Sequence, residues 1–167
     1  AASGRPGPVL VDIPKDISQG PCEAPLCVDV DLPGYTVPCH GSPDSLEAAA
    51  ALLSNAKRPI LLTGHGIVIA EASKAVTLLA ERLGAPMVTT LLGKGGTDET
   101  HPLHLGMLGM HGTAYANKAT DAADLIMSIG SRWDDRITGK LDEFCLGARK
   151  IHVDIDPSEF NKMVVPD

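Results

Sequence analysis

Four short, predominantly apolar runs punctuate residues 44–167, and they constrain the fold more than any other feature of the chain. They are Ile60-Leu61-Leu62-Thr63, Pro86-Met87-Val88-Thr89-Thr90, Leu125-Ile126-Met127-Ser128-Ile129 and Lys150-Ile151-His152-Val153-Asp154-Ile155. A strand with one wet face alternates apolar and polar residues, whereas a run apolar throughout must be covered on both faces. Segments of helical spacing separate the runs. Asp44-Ser45-Leu46-Glu47 has the pattern of a capping box, and Leu46, Ala50 and Leu53 share one helical face. Asn55 and Arg58-Pro59 stop that helix. Ala72, Val76, Leu79 and Leu83 mark a second helix near residues 71–83, ended by Gly84, and a third is expected around 113–123. Residues 91–112, rich in glycine, read as irregular. Short apolar strands alternating with amphipathic helices predict an α/β fold: a doubly wound, Rossmann-like parallel sheet.

Residues 1–43 read differently. Val9-Leu10-Val11-Asp12-Ile13 lies between a Gly/Pro turn and Pro14, and reads as a buried strand with no helix to cover it. Residues 1–18 are therefore expected to be the tail of a preceding domain. Residues 19–43 hold Pro21, Pro25, Pro33, Pro38, Pro43, Gly34 and Gly41, which is the chemistry of an interdomain linker. The central domain is then expected over residues 44–167.

Charge and composition narrow the function classes. A net charge of −7, with scattered Lys and Arg, argues against nucleic acid, whose phosphates need clustered cations. Only 3% of the residues are aromatic, so aliphatic side chains must fill the core. No apolar stretch is long enough to span a bilayer, and residues 1–30 lack the pattern of a signal peptide. Cys22, Cys27, Cys39 and Cys145 form no C-x-x-C pair, so free thiols in a reducing compartment are expected. That compartment is the cytoplasm, or an organelle stroma or matrix in a eukaryote. His101, His104 and His111 lack a regular helix to align them as metal ligands.

In an open doubly wound sheet, ligands bind outside the carboxyl ends of the strands. Those ends are Gly64-His65-Gly66, Thr90-Leu91, Gly130-Ser131-Arg132 and Asp154-Ile155. Small residues let a ligand approach the backbone, exposed amides favour phosphate, and an acidic strand end accepts from ribose hydroxyls. Each also has a plain reading. Gly64-His65-Gly66 lacks the third glycine of a dinucleotide fingerprint, because Ile69 stands there, and Asp154 could simply cap a turn with Asp156 and Pro157. The densest cluster is Arg132-Trp133-Asp134-Asp135-Arg136-Ile137-Thr138-Gly139. Its charges must either bind a ligand such as a pyrophosphate or pair internally and pin the loop. No nucleophile–base pair and no phosphate loop of the Walker type appears, so the residues point to binding rather than to chemistry.

Two motifs carry a resemblance. Leu108-Gly109-Met110-His111-Gly112 and Arg132-Trp133-Asp134-Asp135-Arg136-Ile137-Thr138-Gly139 are similar to signatures of the acetohydroxyacid synthases, FAD-containing thiamine-diphosphate enzymes. Gly4-Arg5-Pro6-Gly7-Pro8-Val9 through Asp12-Ile13-Pro14-Lys15-Asp16 resembles the end of that family's pyrimidine-binding domain. Trp133 stands where phenylalanine is common. The resemblance covers essentially the whole chain, and it implies the central, FAD-binding domain of the large subunit. Family members condense two 2-ketoacids, pyruvate with pyruvate or 2-ketobutyrate, for branched-chain amino-acid synthesis, and their FAD takes no redox part in the main reaction. By resemblance, Arg5, Gly64, His65, Gly66, Thr90, Leu91, Met110, Gly130, Ser131, Arg132, Asp134, Arg136, Ile137, Asp154 and Ile155 would contact FAD. Lys15, Met110, His111, Asp135 and Arg136 would line the substrate channel, where the family's herbicide inhibitors bind. Thiamine diphosphate and Mg2+ would belong to the pyrimidine- and diphosphate-binding domains, outside these residues. No catalytic residue or metal ligand is therefore expected here, and the chain alone is expected to be inert. The full protein would be a homodimer or homotetramer, with or without a regulatory subunit. Two other readings stand beside this one: the central domain of another thiamine enzyme, of the ketoacid or oxalyl-CoA decarboxylase type, and a stand-alone nucleotide-binding module.

Overall fold

The computed structural model describes residues 1–23 and 33–167. Cys27 and the centre of the Pro-rich segment lie outside the described residues. Two compact units result, Ala1–Cys39 and His40–Asp167.

Among the described residues of the first unit there is one short helix, α1 (Lys15–Ser18), and Ser3 bonds Tyr35 side chain to side chain at 3.0 Å. The strand expected at Val9–Ile13 does not form. A strand needs a partner for its backbone and a surface for its side chains, and the described part of this unit supplies neither. Val9, Leu10, Val11 and Ile13 are 65%, 92%, 72% and 60% exposed.

The second unit is built on five parallel strands: β1 (Pro59–Thr63), β2 (Met87–Thr89), β3 (His104–Met107), β4 (Leu125–Ile129) and β5 (Arg149–Val153). Their order is β3-β2-β1-β4-β5, with Leu61 in register with Met87 on one side and Met127 on the other. Successive side chains of a strand point to opposite faces. Accordingly Ile60 and Leu62 enter one core with Val88, Ile126 and Trp133, while Leu61 enters a second with Met87, Val76 and Ala80. Helices α3 (His65–Ile69) and α4 (Ser73–Leu83) cover the second core, and α5 (Ala114–Asp121) covers the first. The sheet is thus wound on both faces, as the apolar runs require. Cys145 lies in the first core, where burial pushes its thiol up to about 12. Cys22 and Cys39 are exposed free thiols.

Three local expectations need correcting. Helix α2 (Pro43–Asn55) is capped two residues earlier than Asp44. Ser42 Oγ accepts from Ser45 N at 3.1 Å, and Pro43 sits in the first turn, where its missing N–H costs nothing. Nor does α2 bury the face Leu46–Ala50–Leu53: Leu46 is 61% exposed and no α2 residue is buried. The helix expected from residue 71 begins at Ser73, because Glu71 adopts a φ of 51° and breaks the turn, with α3 placed before it. Finally, residues 91–112 contain β3. That strand is four half-buried residues, with Gly106 at φ 84°, so it shows neither an apolar run nor strict alternation.

Burial separates two leucines in one test. Leu62 is fully buried, so Leu62→Ala should cost about 2–5 kcal/mol in urea unfolding of the 167-residue chain. Leu46→Ala, at an exposed position, should cost no more than about 0.5 kcal/mol. Comparable losses would contradict the assignment of the core.

Candidate functional site

The chain leaves β1 towards β2 on one side of the sheet and later enters β4 on the other, so a crevice opens between the carboxyl ends of β1 and β4. Backbone contact closes its floor. Gly64 N donates to Ile129 O at 2.9 Å and Gly66 N to Gly130 O at 3.0 Å. A Cβ on Gly64 would meet Gly130 O at 2.1 Å, and one on Gly130, whose φ is 65°, would meet Gly66 Cα at 2.5 Å. Glycine is needed at both turns because any side chain would drive them apart. His65 and Gly66 open α3 rather than forming only a turn, and His65 Nδ1 bonds Leu92 O at 2.9 Å, which ties α3 to the 3-10 turn Leu91–Gly93. Thr90 caps that turn, its Oγ1 accepting from Gly93 N at 3.0 Å.

The second motif loop follows β4. Ser131 is buried, and its carbonyl accepts from Ser128 Oγ at 3.2 Å and from His152 Nε2 at 2.8 Å. Trp133 turns inwards at φ 56°, fully buried, edge-on to Phe144 and His152. Its Nε1 has no hydrogen-bond partner among the described residues. Asp134 caps α6 (Asp135–Thr138) by accepting from Arg136 N at 3.0 Å. The charges alternate outwards: Arg132 lies 3.8 Å from Asp134 and Arg136 lies 3.1 Å from Asp135, all substantially exposed. Such pairs are weak and leave the guanidiniums available. Ile137 packs in the core, so only its backbone could face a ligand.

Across the floor, Asp154 Oδ1 accepts from Asp156 N at 2.9 Å and so does cap the turn, while its Oδ2 lies 3.8 Å from His152 Nε2. A cleft of about 160 Å³ beside Arg132 and Asp134 contains Glu159, buried and 3.2 Å from Lys162. The loops at the carboxyl ends expose apolar side chains: Leu91, Leu92, Met110 and Ile155 are 68%, 69%, 63% and 44% exposed. Such side chains together with an exposed guanidinium fit a ligand that is ring-shaped at one end and anionic at the other. FAD meets that description, and the strand-end residues could hold it.

The fold therefore brings together Gly64, His65, Gly66, Thr90, Leu91, Gly130, Ser131, Arg132, Asp154 and Ile155 at one edge of the sheet. Met110 and His111 join this edge through the loop after β3, where Met110 N donates to Arg136 O at 2.9 Å. Arg5 and Lys15 belong to the first unit, where both are exposed. The strand-end reading overlooked His152 and Asn117, which act beneath the surface. A lone histidine inside an apolar run and a polar residue inside a helix look ordinary in a sequence.

His152 makes the unit sensitive to acid. Burial holds its ring below the ordinary value of 6.5, outweighing the Ser131 carbonyl, Asp154 and Glu159, which raise it, and burial lowers His104 likewise. The folded state binds these protons less readily than the unfolded chain. Stability is complete above about pH 6.5 and is lost as pH falls from there towards the depressed values. Urea unfolding from pH 7 down to about 5 should show this slope, and His152→Gln should reduce it. An unaltered slope in the variant would contradict the burial of a neutral His152.

Comparison with known proteins agrees with this geometry. Residues 46–167 match the family model of the thiamine pyrophosphate enzyme, central domain. A probable acetolactate synthase large subunit of Methanocaldococcus jannaschii is 45% identical over all of this chain and 29% of its own length. An acetolactate synthase large subunit of Parasynechococcus marenigrum is 50% identical over 97% of this chain and 27% of its own. That of Corynebacterium glutamicum is 45% identical over 98% and 26%. The chain thus spans little more than a quarter of the length of the curated relatives it matches. With a doubly wound parallel sheet over the matched residues, the chain belongs to the thiamine pyrophosphate enzyme family, as its central domain.

Proposed function

We propose that this chain is the FAD-binding central domain of an acetolactate synthase large subunit. In the full protein it would stand between a pyrimidine-binding and a diphosphate-binding domain that hold thiamine diphosphate and Mg2+. Residues 1–18 would then be the end of the first of these, residues 19–43 the linker, and residues 44–167 the flavin-binding domain. The observation that carries this reading is the set of exposed apolar side chains Leu91, Leu92, Met110 and Ile155, together with the exposed guanidinium of Arg132, on loops that all follow the carboxyl ends of the strands around the switch point of the sheet. The names and the identity of the relatives supply the activity.

Roles divide along the edge of the sheet. Gly64, Gly66 and Gly130 keep the floor free of side chains, so the diphosphate-bearing middle of the dinucleotide could lie against backbone. Arg132 would bind its phosphates. Thr90, Leu91, Met110 and Ile155 would enclose the apolar ring, with Asp154 near a ribose. Arg136, Asp135, His111 and Met110 would face the 2-ketoacid channel, together with Lys15, and Arg5 would reach the flavin from the preceding segment. When bound, the flavin supplies shape and binding energy rather than electrons to the condensation. On this reading, acid–base chemistry on thiamine would fall to groups of the other domains. The full protein would assemble as a homodimer or homotetramer, with or without a regulatory subunit.

Full-length protein should purify yellow and form acetolactate from pyruvate with thiamine diphosphate and Mg2+. The isolated 167-residue chain should form none and bind FAD only weakly. Turnover by the fragment, or binding of ADP in place of FAD by the whole protein, would contradict the reading. Within the full protein, Arg132→Ala should weaken FAD by about 1–3 kcal/mol, the worth of a charge-assisted contact. Arg136→Ala should act more on turnover and inhibitor binding. Calorimetric FAD titration separates the two, and equal losses of FAD affinity would remove the division of roles.

A further inference from the structure

Met110 and Arg136 sit on loops that are far apart in sequence, and the structure joins them through one helix side chain. The loop Leu108–Gly112 is closed at its base by Thr113, whose N donates to Met107 O at 2.9 Å and whose Oγ1 donates to Leu105 O at 3.0 Å. Its interior is held by Asn117 on α5. Gly109 N donates to Asn117 Oδ1 at 3.0 Å, and Asn117 Nδ2 donates to Gly109 O and to Thr113 O, each at 3.1 Å. The polarity of the amide is fixed, because a backbone N–H can only donate and the two carbonyls can only accept. Gly109 itself adopts a φ of 100°, and a Cβ there would meet Arg136 O at 2.2 Å. The loop therefore lies flush against the backbone of α6, and the next residue completes the junction with Met110 N on Arg136 O at 2.9 Å.

We propose that Asn117 is a positioning residue for this site: its carboxamide sets the conformation of Gly109, and through it aims Met110 and registers the loop against Arg136. It touches no ligand. It stands in for a strand partner that Gly109 lacks, engaging both the donor and the acceptor of one peptide residue, as a neighbouring strand would. A side chain without that pair of functions leaves Gly109 N without its partner and Gly109 O with only the Gly112 N–H at 2.9 Å, and the turn loses its only side-chain clamp among the described residues. The proposal rests on the reading that a flavin passes this loop, but its structural half does not.

Two variants of the full-length protein test it. Asn117→Leu keeps the branching and the heavy-atom count and removes all three bonds; Asn117→Asp keeps the acceptor for Gly109 N and removes both donated bonds. Hydrogen exchange should show that peptides covering residues 108–112 and 134–139 lose protection in Asn117→Leu by at least roughly fivefold, the equilibrium equivalent of one net hydrogen bond. Peptides covering β1 and β4 should keep theirs. Asn117→Asp should retain protection at Gly109 N and lose it at Met110. FAD titration of the same proteins should show an affinity roughly tenfold lower for Asn117→Leu, with Asn117→Asp between it and the parent. Uniform loss of protection across the sheet would reduce Asn117 to an ordinary stabilising residue and overturn the proposal, as would unchanged protection of the two loops. If Asn117→Leu fails to fold, Asn117→Asp decides alone by the same comparison of loop and sheet. A parent protein that binds no FAD would sink the flavin reading, while the exchange pattern would still decide whether Asn117 governs the loop.

Discussion

Backbone contact between two glycine turns sets the geometry of this domain. Gly64 and Gly66, after β1, press on Gly130, after β4, so closely that Gly66 N bonds Gly130 O at 3.0 Å. No Cβ fits on either side of the junction. Because β1 and β4 flank the point where the strand order reverses, this contact forms the floor of the crevice. The Leu91–Gly93 turn is stacked on the same place, since a Cβ on Gly93 would meet Thr63 O at 2.3 Å. Each loop that reaches the crevice takes its height from that floor.

The sheet was legible in the sequence where physics leaves no alternative. A run such as Ile60–Thr63, apolar on both faces, cannot persist in water unless two layers cover it, so β1, β2 and β4 followed directly, whereas β5 is an edge strand with only Ile151 buried. β3 was not legible, because its four residues are only half covered and include a glycine at positive φ. Val9–Ile13 misled in the opposite sense: an apolar run implies a strand only if something pairs with it, and among the described residues nothing does. Pattern also placed the α2 cap at Asp44, although Ser42 followed by Pro43 is the stronger start.

For the site, the carboxyl ends could be listed from topology alone, and the list coincides with the edge that the fold assembles. What lay beneath that edge could not. Arg132, Asp134, Asp135 and Arg136 were expected to pair or to bind a ligand; they pair near the surface, Arg132 with Asp134 and Arg136 with Asp135, while Trp133 between them fills the core. The Ser131 carbonyl takes donors from Ser128 and His152, on two different strands, and Asn117 joins two loops from a helix. Such contacts depend on distances across the fold, and spacing along a chain carries no trace of them. The buried hydrogen bonds fix the groups that the loops expose.

A crystal structure of the full-length protein grown with FAD is the most direct test of where the ligand lies. The diphosphate should rest over Gly64–Gly66 and Gly130–Ser131, within reach of Arg132, with the flavin ring against Leu91 and Met110. Density for FAD held by the neighbouring domains alone, leaving the glycine floor between β1 and β4 bare, would contradict the assignment of this crevice.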